Sequence, residues 1–377
     1  MNLKQFKAGN YVQRFEYKSF EPELINHTWV WDDAEINVLL ERANKFMGEL
    51  NAFTYIVPDI DLFIAMHILK EATKSSKIEG NKTEMDEALL PIEDISPEKR
   101  DDWQEVQNYI KAINFAVSEL KNLPLSNRLI RDTHRILLEG TRGEHKTPGE
   151  FRISQNWIGG SNPSNAVFVP PHWDSLPKLL SDLEKFFHNQ DIQVPHLIKT
   201  AIIHYQFETI HPFQDGNGRI GRLLITLYLI SNGIINNPSL YLSDYFEKNR
   251  AMYYDSLTLV RGKNDLTNWI KFFLQAVEVT AEKGIITFRK ILELKNKIDK
   301  RIISFKQRAE NCRKLFNYLY KSPITDGKLV AKIIGISERS ARDLLNDLES
   351  QKLLTEITGF KRNRNYIFHD YISLFYD

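Results

Sequence analysis

The sequence predicts a mainly α-helical bundle carrying one β-hairpin flap, followed by a small carboxy-terminal winged helix. Three observations predict it. Apolar residues recur at three- and four-residue steps through most of the chain. One stretch, Pro148 to Pro171, breaks that period with short extended pieces interrupted by Gly159-Gly160 and Asn162-Pro163. After residue 309 the order is helix, helix-turn-helix, then two strands around a basic loop.

Composition sets the class. With 377 residues, 42% hydrophobic and 26% charged, the chain is that of a soluble globular protein with room for more than one core, and a disordered chain is excluded. Fifty Lys and Arg against 49 Asp and Glu leave no electrostatic footprint over the whole chain, so a nucleic-acid or membrane partner would have to be met by a local patch. The single cysteine, Cys312, cannot close an internal disulfide and reads as a small buried hydrophobe in a reducing compartment. Met1 to Asn10 has no apolar signal region, and Leu223 to Ile230 is too short to span a bilayer. A cytoplasmic protein with no membrane partner is expected.

Taken in order, residues 1 to 30 show no clear period and are expected to wrap an edge of the core. From Asp32, apolar residues at Ile36, Leu39, Leu40, Ala43 and Met47 predict a first helix. Asp61 caps a second, which stops at Ser75 to Gly80 with Gly80 as the left-handed terminator. Helices follow over Asp101 to Leu120 and Ser126 to Glu139, the latter capped by Ser126 and ended by Gly140. After the flap, one helix starts at Asp174 and another at Pro195, and the second delivers the chain to His211. A central apolar helix then runs from Arg219 to Asn232. Helices are predicted at Asp244 to Leu259 and Asp265 to about Thr280, then a Lys-rich helix at Glu282 to Ile303 bridging to the last unit. There, Asn311 to Tyr320 is helical, Thr325 caps Gly327 to Ile334, Ser337 caps Glu338 to Ser350, and Leu353 to Ile357 pairs with Asn365 to Phe368. The expected organisation is an amino-terminal helical region (1–110), a core (111–280), a linker helix (281–308) and a winged helix (309–377).

The chemistry concentrates in His211-Pro212-Phe213-Gln214-Asp215-Gly216-Asn217-Gly218-Arg219-Ile220-Gly221-Arg222. Helix-initial N–H groups lack intrahelical partners, and Gly216 and Gly218 let an anion approach them closely. Arg219 and Arg222 share one helix face and suit distal phosphates. Asp215 is the hard oxygen ligand that a phosphate-bridging Mg²⁺ takes. His211, four residues earlier, is a base beside it. The set describes nucleotidyl or phosphoryl transfer. It is neither a Walker A loop, for want of Gly-Lys-Ser/Thr, nor a dinucleotide fingerprint, for want of a preceding strand.

These twelve residues resemble the Fic motif, His-Pro-Phe-x-Asp/Glu-Gly-Asn-Gly-Arg-x-x-Arg, at every fixed position. Ser75-x-x-x-Glu79-Gly80 resembles the family's inhibitory motif, Ser/Thr-x-x-x-Glu-Gly/Asn. About residues 30 to 280 look like a Fic protein with its amino-terminal helical region, the inhibitory helix falling at about 61–80. The resemblance implies transfer of AMP from ATP to a hydroxyl of a target protein, self-modification included, with Mg²⁺ at Asp215 and His211 as the base. It places Phe213 as the loop's anchor and Gly216, Asn217 and Gly218 as the anion hole. Arg219 and Arg222 would serve the β- and γ-phosphates. Ile220, Gly221, Tyr253 and Tyr254 complete the ATP-binding set with Glu79. The flap, through Asn156, Trp157, Ile158 and Gly159, would register the target by strand addition. Glu79 would inhibit by occupying the fork of Arg222, and a homodimer is implied by resemblance alone.

For the winged helix, Lys361, Arg362, Arg364, Arg339 and Arg342 are candidates for DNA phosphates. Asp343, Asp347 and Glu349 on the same helix favour protein docking or dimer support instead. Two other readings stand beside AMP transfer: a DNA-binding regulator whose core senses nucleotide, and a Fic transferase that moves phosphate or phosphocholine.

Overall fold

A computed structural model describes residues 2–56, 60–359 and 363–376. The side chain of Asp61, assigned as a cap, and the basic residues Lys361 and Arg362 lie outside the described residues. The amino terminus forms an antiparallel strand pair, β1 (Gly9–Gln13) and β2 (Lys18–Pro22), with Tyr11 opposite Phe20. Helices follow: α1 (Ala34–Ile56), α2 (Asp61–Ile78), α3 (Met85–Ala88), α4 (Arg100–Glu119), α5 (Asn127–Leu138), α6 (Leu176–His188), α7 (His196–Ile210), α8 (Asn217–Ser231), α9 (Ser243–Lys248), α10 (Arg250–Lys263) and α11 (Leu266–Ile302). The last part holds α12 (Ala309–Leu319), β3 (Ile324–Asp326), α13 (Gly327–Ile334), α14 (Glu338–Ser350), β4 (Thr355–Glu356), β5 (Asn365–Ile367) and α15 (His369–Ile372). Its strands form an antiparallel sheet in the order β3, β5, β4.

The centre is the α7–α8 pair. Both are apolar on nearly every side and almost wholly buried, as helices surrounded by other helices must be. α2 packs across α4, α8 and α9, which carries its last turn to the amino-terminal end of α8. Its first half is held by the carboxy-terminal unit. Phe63 meets Tyr320 and Tyr371, and the His67 ring lies between Phe288 and Phe375. Among the described residues no helix is long and apolar enough to cross a membrane, and Cys312 is buried.

Several expectations change. The segment 148–171 is no ladder. One bridge, Ile158 to Phe168, is its only strand pairing, because Gly159 and Gly160 turn left-handed and Pro163 opens a 3-10 turn capped by Asn162. The two helices predicted around Thr280 are one 37-residue helix, α11, since Ala281, Ile285 and Phe288 continue the buried stripe that packs on α1. Conversely, the helix predicted at 244–259 divides into α9 and α10 at Asn249 (φ −112°, ψ 35°). The helix predicted from Asp174 begins with a 3-10 turn and is α-helical from Leu176. The cap of α13 is Asp326, whose carboxylate accepts the N–H groups of Lys328 and Leu329. Thr325 instead belongs to β3, a third strand that the sequence reading lacked, and the aperiodic amino terminus supplies the β1–β2 pair.

Candidate active site

α7 ends at His211, which takes a left-handed conformation (φ 49°) with its N–H still bonded to Phe207 O at 2.9 Å. Pro212 supplies no N–H to extend the helix. The loop is closed by Asn217, whose side chain accepts the Phe213 N–H and donates to the Phe213 carbonyl, each at 2.8 Å. Phe213 is fully buried and stacks on His134 of α5 at 3.7 Å between ring centroids. His134 Nδ1 accepts the Gly149 N–H, so its proton sits on Nε2 and is donated to the Asp215 carbonyl at 3.0 Å. Burial lowers its pKa to about 4, which keeps that neutral tautomer at working pH.

Gly216, at φ 73°, turns the chain into α8. The first bond of the helix runs from Ile220 N–H to Gly216 O, so the amides of Asn217, Gly218 and Arg219 precede the ladder. Over them lies a carboxylate from α2's end. A Cβ added at Gly218 would stand 2.2 Å from Glu79 Oε1. Glu79 accepts from Arg222 Nη2 at 2.7 Å, while Ser75 receives Arg222 through its hydroxyl (from Nε) and its carbonyl (from Nη2), both at 2.9 Å. Burial pushes the Glu79 pKa up, but the charge and hydrogen bond of Arg222, with Arg219 beyond, bring it below the usual carboxylate value. Arg222 is buried, and Glu79 raises its pKa against that burial. Gly80 (φ 97°) then lets the chain leave α2 and tie Asn81 to the carbonyl of Asp102.

Arg219 is held differently. It is also buried, yet Glu105 and Asp215 each stand 3.6 Å from its guanidinium, beyond hydrogen-bond distance, and among the described residues its Nε and Nη1 have no hydrogen-bond partner. The motif's two arginines therefore differ: Arg222 is bonded to α2 through Nε and Nη2, whereas Arg219 keeps Nε and Nη1 without a hydrogen-bond partner among the described residues. Asp215 is 45% exposed and accepts the Gly216 N–H at 2.5 Å. Among the described residues no group of three or more His, Cys, Asp or Glu is arranged for a metal. One accessible carboxylate beside a helix amino-terminus fits Mg²⁺ completed by phosphate and water, and does not fit a metal held by protein alone.

His211 is half-buried, and among the described residues its Nδ1 has no hydrogen-bond partner. Burial, then the charges of Arg152 and Arg261, lower its pKa to about 3 against the opposing pull of Glu79, so the imidazole is neutral. Its carbonyl accepts from Arg152 Nε (3.0 Å) and Asn156 Nδ2 (3.1 Å). Asn156, expected on the docking surface, is thus buried and turned into the motif loop, also donating to Phe213 O. Trp157 is partly exposed, Ile158 half-buried and Gly159 exposed.

Ile220 is core, and Gly221 packs against Glu208 of α7: a Cβ there would stand 2.1 Å from Glu208 Oε1. Tyr253 is buried. His204 donates Nδ1–H to Gly221 O and accepts the Tyr253 hydroxyl at 2.9 Å, which spends that hydroxyl inside the core. Tyr254, 39% exposed and flanked by Arg250, faces outward, its pKa raised to about 12 by burial and then by Glu79. The sequence reading missed Arg152, His134 and Glu208. His134 was visible as a histidine on the apolar face of a helix, and Arg152 as a charge between Phe151 and Ile153. Glu208 is buried, with its pKa raised to about 7.

Residues 38–118 match the family model described as Fic/DOC family N-terminal, and residues 124–229 the one described as Fic/DOC family. The chain is a member of the Fic/DOC family. Ser75 to Gly80 falls in the first matched region and His211 to Arg222 in the second. Among similar curated proteins, a protein adenylyltransferase Fic of Aedes aegypti is 28% identical over 214 residues, 54% of this chain and 39% of its own length. That of Culex quinquefasciatus is 31% identical over 135 residues, 36% and 24% respectively. The Fic/DOC chain thus spans less than half the length of the curated relatives it matches. Its fold resembles that of a Fic family protein from Desulfovibrio desulfuricans G20 (TM-score 0.57, 20% identity, 92% of this chain and 98% of that one). It also resembles Fic-1 of C. elegans (TM-score 0.51, 21% identity, 70% and 74%).

Proposed function

We propose that this Fic/DOC protein is an autoinhibited protein adenylyltransferase that moves AMP from ATP to a hydroxyl side chain of a target protein. The observation that carries the reading is the Glu79 carboxylate, which lies over Gly218 at the start of α8 and accepts from Nη2 of Arg222. A carboxylate held there mimics the charge of a phosphate, and the position is one that a triphosphate's end would need. In the reaction His211, neutral at working pH, takes the proton of the target hydroxyl. The oxygen then attacks the α-phosphorus as the bond to pyrophosphate breaks, while the amides of residues 217–219 and the free donors of Arg219 bear the phosphate charge. Mg²⁺ at Asp215 would supply further charge neutralisation. Tyr254 borders the adenine, and the edge at Trp157 to Gly159 registers the target. With Glu79 on Arg222, ATP is held off its productive pose, and a displacement of about an ångström costs on the order of 100-fold in rate.

For the carboxy-terminal unit, helix, strand, two helices and two strands support a winged helix over 309–377. Arg364 is bonded to Glu349, which leaves it less to offer DNA and favours protein docking or dimer support. A cytoplasmic homodimer is the assembly that accords with this reading. Incubating wild type, Glu79→Gly and His211→Ala with ATP labelled at the α- or the γ-phosphate tests the function. Expected is α-label on protein, raised in Glu79→Gly and absent in His211→Ala. Incorporation of γ-label would instead establish phosphate transfer, and equal labelling with and without Glu79 would remove the autoinhibition.

A further inference from the structure

The flap's root contains a cation with no counter-ion. Arg152 is 2% exposed, and among the described residues no carboxylate lies within ion-pair distance of it; Glu21, which acts on it from farther away, is paired with Arg14. A buried guanidinium is costly unless its donors are satisfied. Here they are satisfied by carbonyls alone. Nε donates to His211 O (3.0 Å), Nη1 to Ser154 O (3.2 Å), and Nη2 to Pro171 O (2.6 Å) and Ile210 O (3.3 Å). The Arg152 N–H adds a bond to Pro212 O at 2.9 Å. One residue therefore joins both roots of the flap, at 154 and 171, to the last carbonyl of α7 and to the carbonyl of His211. Asn156 is the second donor on that carbonyl. A left-handed conformation costs a non-glycine residue about 1–2 kcal/mol, so His211 needs such fixing.

We propose that Arg152 is a positioning residue for transfer: it staples the flap to the backbone of His211, setting the target edge and the base in one frame, and its unneutralised charge keeps a second cation off the imidazole. The inference rests on the reading of His211 as the base. Three charged groups act on that imidazole: Arg152 on the flap root and Arg261 on α10 oppose its protonation and Glu79 on α2 favours it, as does the backbone carbonyl of Glu208, one turn upstream on α7. Arg261 is held by Thr209 and the Glu208 carbonyl, so it cannot move in to replace Arg152.

The test separates charge from staple. The His211 imidazole is titrated by NMR, its signal among ten histidines assigned with His211→Asn. Wild type, Arg152→Gln, Arg152→Lys and Asn156→Ala are compared, with thermal unfolding as the control for folding. Expected in Arg152→Gln is a midpoint higher by about one pH unit; an unchanged midpoint would overturn the electrostatic role. Arg152→Lys keeps the charge and loses the fork, so its midpoint should hold while α-label transfer, measured in the Glu79→Gly background, falls about 100-fold. Full transfer by Arg152→Lys would overturn the staple. Asn156→Ala should slow transfer about 10-fold without moving the midpoint, and it covers the case in which Arg152→Gln does not fold. If Glu79→Gly with Arg152 intact transfers no label, the transferase reading fails, while the titration still decides the charge.

Discussion

Glu79 Oε1 lies 2.7 Å from Arg222 Nη2, although 143 residues separate them in the chain. That contact joins the end of α2 to the first turns of α8, and Ser75, one helical turn before Glu79, accepts from Nε and Nη2 of the same guanidinium. In the proposed reading, brake and phosphate site are a single hydrogen-bonded cluster.

Because Arg222 divides its bonds between Glu79 and Ser75, Ser75→Ala is expected to loosen the brake without removing it. Losing one such bond is worth about 1 kcal/mol, so α-label incorporation should rise a few-fold, between wild type and Glu79→Gly. Incorporation unchanged from wild type would show that Ser75 only packs.

Gly218 has no room for a side chain while Glu79 is in place, since its Cβ would stand 2.2 Å from Oε1 and 3.0 Å from Arg222 Nη1. In the Glu79→Gly background the first obstacle is gone and the second remains. Gly218→Ala there should weaken ATP binding by at least about 10-fold in calorimetry, because the methyl group covers the amides that meet phosphate. Undiminished binding would place the nucleotide elsewhere.

His134 joins Gly149, Phe213 and the Asp215 carbonyl through both ring nitrogens and one ring face. His134→Ala leaves a cavity under Phe213 and two unsatisfied backbone groups. It should cost about 3–5 kcal/mol in denaturant unfolding. A loss under 1 kcal/mol would mean that the loop is held without it.

Glu208 is buried with a carboxyl pKa raised to about 7 by burial, then modulated by Arg222 and Glu79. A raised carboxyl pKa means that the folded state holds the proton longer than the unfolded state. The associated stability is complete below the usual carboxyl pKa and is lost as pH rises through about 7. Glu208→Gln should therefore flatten the fall in melting temperature between pH 5 and pH 8. An unchanged slope would show that another group sets it.

The contact between Glu79 and Arg222 has its own pH signature. Since the Glu79 pKa is lowered, the brake's ion pair is present above the usual carboxylate range and is lost only as pH falls through the depressed value. Basal α-label transfer should not rise on acidification from pH 8 to pH 6, measured relative to Glu79→Gly in the same buffers.

Much of this architecture was legible where its causes are local. Ser126 and Ser337 cap the helices they were expected to cap, and Gly80, Gly140, Gly233 and Gly335 take positive φ at helix ends. The apolar run after Arg219 is central because it is apolar on all sides. Local signals misled near residue 281, where a helix break was expected and the buried stripe in fact continues, and in the flap, where the extended residues form a single bridge and no ladder.

The sequence by itself determined the order of chemical groups from His211 to Arg222, because turn, helix start and side-chain face all follow from neighbours within a few residues. Only the tertiary structure decided which of those groups are free. Packing of α2 across α8 engages Nε and Nη2 of Arg222 and leaves Arg219 with open donors among the described residues. Packing of α5 under the loop sets His134 on Phe213, and burial of the flap's root aims Arg152 at the carbonyl of His211. Each of these depends on contacts between residues dozens to more than a hundred positions apart, whose geometry is fixed when helices bury their faces together and by no periodicity within any one of them.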